Sequence, residues 1–335
     1  VEDMLLWNNK LLCLGVFTAY RGVPNNGIAV LNLDGTLDFK FNFNTYSKFD
    51  YNNGISKLFL LDSDKVLVTD YMVSNTETYS FVIDTSRKVL ITINNGTHGF
   101  IVDEVHNMYS ARNIQFKDYI QDIEFDAVAT ELYKFTYNTN TNTYTQDPVF
   151  SSNALHGLRK TADQLYAKPL NVIDGYLYVD VYIEAPYATQ YAYGNKSGRR
   201  LVRVNTNTGL LDQTWSSLLT ENSANLQGRG VKKINNYLYY YGNFQSYGET
   251  TYAGMVKLNM DGTIATFADF AGGFIDYPNS RGDIRDMEYV VLNNAIDGSN
   301  PRLLCALEIR SPYNNSTTKK NNMDIGNVVA IYPDT

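Results

Sequence analysis

The stretch Trp7-Asn-Asn-Lys-Leu-Leu-Cys-Leu-Gly-Val-Phe17, continued by Gly27-Ile-Ala-Val-Leu-Asn-Leu-Asp-Gly-Thr36, has a related copy later in the chain. Residues 7–36 align without a gap on residues 234–263, at a constant offset of 227. The two copies share Asn8/Asn235, Asn9/Asn236, Leu11/Leu238, Gly15/Gly242, Phe17/Phe244, Tyr20/Tyr247, Gly27/Gly254, Leu31/Leu258, Asn32/Asn259, Asp34/Asp261, Gly35/Gly262 and Thr36/Thr263. A fainter copy lies between them, in which Gly35, Leu37, Asp38 and Phe41 answer to Gly209, Leu211, Asp212 and Trp215 at an offset of 174. Four steps in 227 residues and three in 174 give the same unit, about 57 residues, close to the size of a propeller blade.

Each unit reads as strand, turn, strand. The runs Lys10–Leu14, Lys65–Val68, Tyr176–Val179 and Tyr237–Tyr240 each follow an Asn, Asp, Ser or Gly turn, which is the signature of a hairpin. A second element is an alternating strand that ends in polar residues, and it occurs six times: Ala29–Gly35, Phe81–Ser86, Leu132–Asn138, Leu201–Asn205, Met255–Gly262 and Val328–Asp334. The run Asn138–Thr143 reads as a polar hairpin turn. Helical periodicity is confined to Ala154–Leu165 and Ser216–Leu226. Short strands without alternating helices predict an all-β chain, a β-propeller of six blades with about four antiparallel strands each. The expected blades are 4–50, 51–97, 98–153, 165–220, 229–275 and 284–335, in one domain that is part of a longer chain. The sixth unit stops before the outer strand that Thr36–Phe41 supplies to the first, and a strand edge left open is a liability that folds normally cover.

The same residues resemble the delta-60 repeat: a Gly-x-Phe step at Gly15–Phe17, an Ile-Ala-x-Leu-Asn strand at Ile28–Asn32, an Asp-Gly turn at Asp34–Gly35 and a Leu-Asp-x-x-Phe tail at Leu37–Phe41. Gly242–Phe244 with Gly254–Ile264 is the second good copy, with Ala265 in place of the tail Asp. The resemblance covers roughly a quarter of the chain and implies a propeller module of bacterial surface proteins or phage tails, hence a virion-tail or cell-surface location. It brings no catalytic residues with it.

The chain has 335 residues, 44% of them hydrophobic and 19% charged, and a formal net charge of −7. No run of like charge suits phosphate neutralisation, so neither nucleic acid nor an anionic membrane is an expected partner. No apolar stretch approaches the roughly 18 residues of a membrane-spanning helix. Cys13 and Cys305 have neither disulfide-framework nor metal-site spacing. Because the chain opens on Val1 rather than Met, it is expected to be a processed product or an excised piece.

His98, His106 and His156 are the only imidazoles, and their spacing fits no metal-binding grammar, so no metal and no cofactor is expected. There is no nucleophile elbow and no phosphate-cradling glycine loop. A glycosidase needs only two carboxylates brought together by the fold, so Asp180 with Glu184, or Asp283 with Asp286, stand as candidate pairs against a reading as turn and rim residues. Arg281-Gly-Asp283 spells an adhesion tripeptide, and Asn95-Gly-Thr97, Asn195-Lys-Ser197 and Asn314-Asn-Ser316 spell sequons, all of them short enough to arise by chance.

Tyrosine is the outlier, 27 residues against 2 Trp. Many fall on strands, where a buried ring keeps its hydroxyl at the edge. The rest cluster in the loops that hold Tyr187, Tyr191 and Tyr193, and Tyr247 with Tyr252. These five are the candidate surface for a protein partner or a host glycan, because exposed Tyr among Asn, Ser and Gly suits recognition and sugar stacking. Two functions follow: a non-enzymatic structural or recognition module, in a symmetric assembly with other virion or surface proteins, and a carbohydrate-active enzyme with paired carboxylates in the channel.

Overall fold

The computed structural model describes residues 3–38, 57–94, 100–153, 159–160, 167–183, 198–215, 227–265, 282–291, 301–309 and 328–331, save 16, 25–26, 75–76, 85–88, 121–122, 139, 142, 213, 244–245, 248–249 and 252–253. They are all-β apart from one turn of helix. In the first repeat, β1 (Asp3–Trp7), β2 (Lys10–Leu14) and β5 (Ile28–Asn32) form an antiparallel sheet, and a small hairpin, β3 (Ala19–Tyr20) with β4 (Val23–Pro24), is inserted ahead of β5. The second has four strands in order, β6 (Lys57–Asp62), β7 (Lys65–Ser74), β8 (Glu77–Asp84) and β9 (Val89–Asn94). The third runs β10 (Phe100–Val102), β11 (Met108–Ile120), β12 (Ile123–Asn138) and β13 (Thr143–Gln146); helix α1 (Pro148–Asn153) follows, and β14 (Arg159–Lys160) returns to β12.

The fourth repeat is β15 (Ala167–Ile173), β16 (Tyr176–Ile183) and β17 (Gly198–Asn205). The fifth is β18 (Gln227–Ile234), β19 (Tyr237–Asn243) and β22 (Met255–Asn259), with the hairpin β20 (Ser246–Tyr247) and β21 (Thr250–Thr251) inserted before the last strand. The final strands β23 (Gly282–Val291), β24 (Pro301–Ile309) and β25 (Val328–Ile331) join the fifth sheet through the pair Asn243 and Asp283. The six alternating segments foreseen in the sequence lie on β5, β8, β12, β17, β22 and β25.

The chain divides into two compact units, one of Val1–Gln115, Thr130–His156 and Ala167–Pro169, the other of Phe116–Ala129, Gly157–Tyr166 and Leu170–Thr335. Within the first, Trp7, Leu12, Leu14, Ile28 and Val30 pack on Leu58, Val66, Val68 and Ile83 of the second repeat. Within the second, Tyr178, Leu201 and Trp215 pack on Val231, Leu238, Tyr240, Val256 and Leu258, and the opposite face of the fifth sheet packs on Ile284 and Met287. The fifth sheet is thus apolar on both faces and is stabilised by its neighbours, as stacked repeats require.

The hairpin turns explain themselves. Asn8 (φ 49°), Asn9 (φ 56°), Asp174 (φ 50°), Gly175 (φ 78°) and Asn235 (φ 53°) take the left-handed conformation that a tight hairpin twisting with its strands demands, and Asn, Asp and Gly tolerate it best. The Ser63-Asp64 turn of the second repeat has no such residue in that conformation, and its register shifts by one between Leu60 and Asp62. Leu61 becomes a bulge whose side chain is buried. The Asn138–Thr143 run is the hairpin turn expected, with Asn138 Oδ1 accepting from the amides of Asn140 (2.9 Å) and Thr141 (3.2 Å).

One expectation needs correction. The helix foreseen at Ala154–Leu165 is broken by β14, where Arg159 and Lys160 pair with Ala129 and Val128. The helix lies upstream, at Pro148–Asn153, because Asp147 caps it: its Oδ1 accepts from the amides of Val149 (3.0 Å) and Phe150 (3.1 Å), and Pro148 starts the turn without an amide of its own. The helix expected at Ser216–Leu226 lies outside the described residues.

Candidate functional site

The repeat's loop-bearing frame is built from the turn outward. In the first repeat the Asn32 amide donates to the Thr36 carbonyl (2.8 Å) and the Gly35 amide to the Asn32 carbonyl (2.9 Å). The Asn32 side-chain amide donates to Thr36 Oγ1 (2.9 Å), and both the Thr36 amide (2.9 Å) and its hydroxyl (2.6 Å) donate to Asp34 Oδ1. The fifth repeat reproduces every bond with Asn259, Gly262, Thr263 and Asp261, at 2.8, 2.9, 2.9, 2.9 and 2.6 Å. Gly35 (φ 80°) and Gly262 (φ 90°) occupy the left-handed position that closes the turn. The threonine hydroxyl and amide hold the carboxyls of Asp34 and Asp261 below the usual carboxylate range.

The loops between the second and third strands are fixed at their roots in the same way. Gly15 donates to the Gly27 carbonyl at 2.9 Å, and Gly242 to the Gly254 carbonyl at 2.9 Å. Between these roots sit the inserted hairpins, Ala19–Pro24 and Ser246–Thr251, which pair at the same 227-residue offset. In the first, the Tyr20 hydroxyl donates to the Gly35 carbonyl (2.8 Å), tying loop to turn, and Arg21 lies 5.6 Å from the Tyr20 ring centroid. In the fifth, the backbone of Tyr247 pairs with Thr250. Of the five tyrosines singled out in the sequence, Tyr187, Tyr191, Tyr193 and Tyr252 lie outside the described residues, and Tyr247 is described by its backbone.

The carboxylate candidates separate clearly. Asp180 is fully buried, bound to Arg199 Nη1 at 2.6 Å, and accepts from the Tyr240 hydroxyl (2.9 Å) and the Gly228 amide (3.1 Å). The Tyr240 and Gly228 contacts tie repeat four to repeat five, and the carboxylate so committed is shut off from solvent. Glu184 lies outside the described residues. Asp286 is exposed; it accepts from the Met287 amide (2.8 Å) and the Tyr241 hydroxyl (3.2 Å) and lies 3.9 Å from Lys232, which also grips Glu288. The side chain of Asp283 is outside the description, as are Arg281, the three sequons, His98 and His156.

His106 sits at φ 68° in a turn organised by Asp103, whose carboxylate accepts from the amides of Val105 (3.0 Å) and Asn107 (2.8 Å) and from the Tyr109 hydroxyl (3.0 Å). Among the described residues no three His, Cys, Asp or Glu side chains gather as metal ligands, and no helix is long and apolar enough to cross a membrane.

Two features escaped the sequence reading. Arg203 holds Asp212 Oδ2 through Nε (2.9 Å) and Nη2 (2.7 Å), stacks on Tyr176 (4.2 Å to the centroid) and Trp215 (5.3 Å), and donates to the Met260 carbonyl (3.2 Å), which also takes the Trp215 indole N–H (3.0 Å). Burial raises the Asp212 carboxyl, but the Thr214 hydroxyl and Arg203 prevail and bring it below the ordinary range. The glycines of Gln227-Gly228-Arg229-Gly230 lie beneath aromatic rings: a Cβ on Gly228 would stand 2.6 Å from Tyr240 Cε2, and one on Gly230 2.9 Å from Tyr241 Cε1. A Gly-x-Gly strand facing a Tyr-Tyr strand is the signal that would have found it.

Comparison with known proteins bears on the same segment. Residues 8–41 match a family described as a domain of unknown function (DUF5122), a β-propeller. The first repeat is thus similar to a β-propeller family, in an all-β chain of many antiparallel sheets. No curated protein sequence matches the chain. Among solved structures, Trypanosoma rangeli sialidase in complex with sialic acid is similar at 11% identity and a TM-score of 0.39, over 92% of this chain and 52% of the sialidase. The chain spans about half the length of that protein.

Proposed function

We propose that this chain is a non-enzymatic β-propeller module, its six blades holding recognition loops on a rigid frame, within a phage tail or on a bacterial surface. The observation that carries the reading is the recurrence of one loop-bearing device: the bond between the glycine roots, the pairing of the inserted hairpin and the bonds of the Asn-x-Asp-Gly-Thr turn are found in both repeat one and repeat five. A frame reproduced so closely under loops of different sequence suits display. The commitment of Asp180 to Arg199, Tyr240 and Gly228 further favours a scaffold over a channel acid. The tail or surface setting rests on the delta-60 resemblance, and the partners are other virion or surface proteins and a host glycan.

The Tyr187, Tyr191, Tyr193, Tyr247 and Tyr252 loops are the recognition surface. The test is a glycan array, together with the isolated tail or surface fraction, probed with the protein and with the Tyr191→Ala/Tyr193→Ala double variant. Lost binding at an unchanged unfolding temperature supports the reading, and equal binding by the variant removes that loop from it. Cleavage of any glycan in the panel would overturn the non-enzymatic assignment and restore the carbohydrate-active enzyme.

A further inference from the structure

We draw no further inference here: the strongest candidate, the exposed tip of the hairpin inserted in the first repeat, where Arg21 lies beside the Tyr20 ring at φ 46°, carries nothing because its contact with that ring and its nearness to the Asp34 turn account for its place and nothing in the structure shows what else meets it.

Discussion

Repeats one, four and five place a cation in the same corner of the sheet but hold it in three ways. In repeat one it is Lys10, at the start of the second strand, 2.7 Å from Asp38. In repeat four that position, opposite the turn asparagine, is Tyr176, and the cation has moved across to Arg203, which stacks on the ring and grips Asp212. Repeat five keeps the tyrosine, as Tyr237, and the crossed cation, as Lys257, 4.1 Å from the ring centroid, but Ala265 stands where the acid was. The backbone does not register the loss. Asp38 donates to Val30 at 2.8 Å, Asp212 to Arg203 at 3.0 Å and Ala265 to Lys257 at 3.0 Å. The tail is therefore set by its backbone bridge and the polar turn before it, while the cation of this corner lies against a carboxylate in repeat one, a ring in repeat five and both in repeat four.

That contrast can be broken hardest where repeats four and five meet. Asp180→Ala leaves Arg199 buried without its acid and is expected to cost about 3–5 kcal/mol in urea unfolding, whereas Asp180→Leu with Arg199→Met recovers most of it. A double variant no better than the single would show that the pair acts through something other than uncompensated charge. Next in size, Gly228→Ala pushes a methyl group into the Tyr240 ring and should cost about 1–3 kcal/mol, with Gly228→Ala/Tyr240→Phe still impaired, because the ring carbon as well as the hydroxyl is in the way.

Exchange of the tail residues sharpens the comparison. Ala265→Asp places at the tail of repeat five the acid that repeats one and four carry there and should change the stability by no more than about 1 kcal/mol. Asp212→Asn removes it from repeat four and changes the response to acid. Because the Asp212 carboxyl lies below its unfolded value in the native protein, its contribution is present above about pH 4 and is lost as the pH falls through the folded value. The Asp212→Asn variant should thus be less stable at neutral pH and lose less on acidification, as read by unfolding at pH 7 and pH 3; parallel losses would contradict the assignment. The smallest effects belong to the turns, where Thr36→Ala and Thr263→Ala should each cost about 1 kcal/mol and by equal amounts.

The sequence carried what is local or periodic. Asn8-Asn9, Asp174-Gly175 and Asn32–Thr36 are turn residues whose conformations follow from their own side chains, and the 227-residue offset placed even the two inserted hairpins in register. Contacts between sheets were not legible. Tyr240 and Gly228 of the fifth sheet approach Asp180 of the fourth from 60 and 48 residues away, so no spacing announces them. Asp180 and Glu184 stand as candidate acids in the sequence because a fold can bring carboxylates together in ways that spacing does not show, and spacing does not say what packs on Asp180. The helix was misplaced because Asp147-Pro148, a cap and a first-turn proline, is a shorter signal than the apolar spacing after it.

Native-state hydrogen exchange of matched amides tests the equivalence of repeats one and five most directly. Gly15 and Gly242, Asn32 and Asn259, and Gly35 and Gly262 donate to equivalent carbonyls at equal distances. The account predicts that each pair is protected and that the three pairs rank in the same order in both repeats. Protection of Asn32 and Gly35 beside free-chain exchange at Asn259 and Gly262 would contradict it.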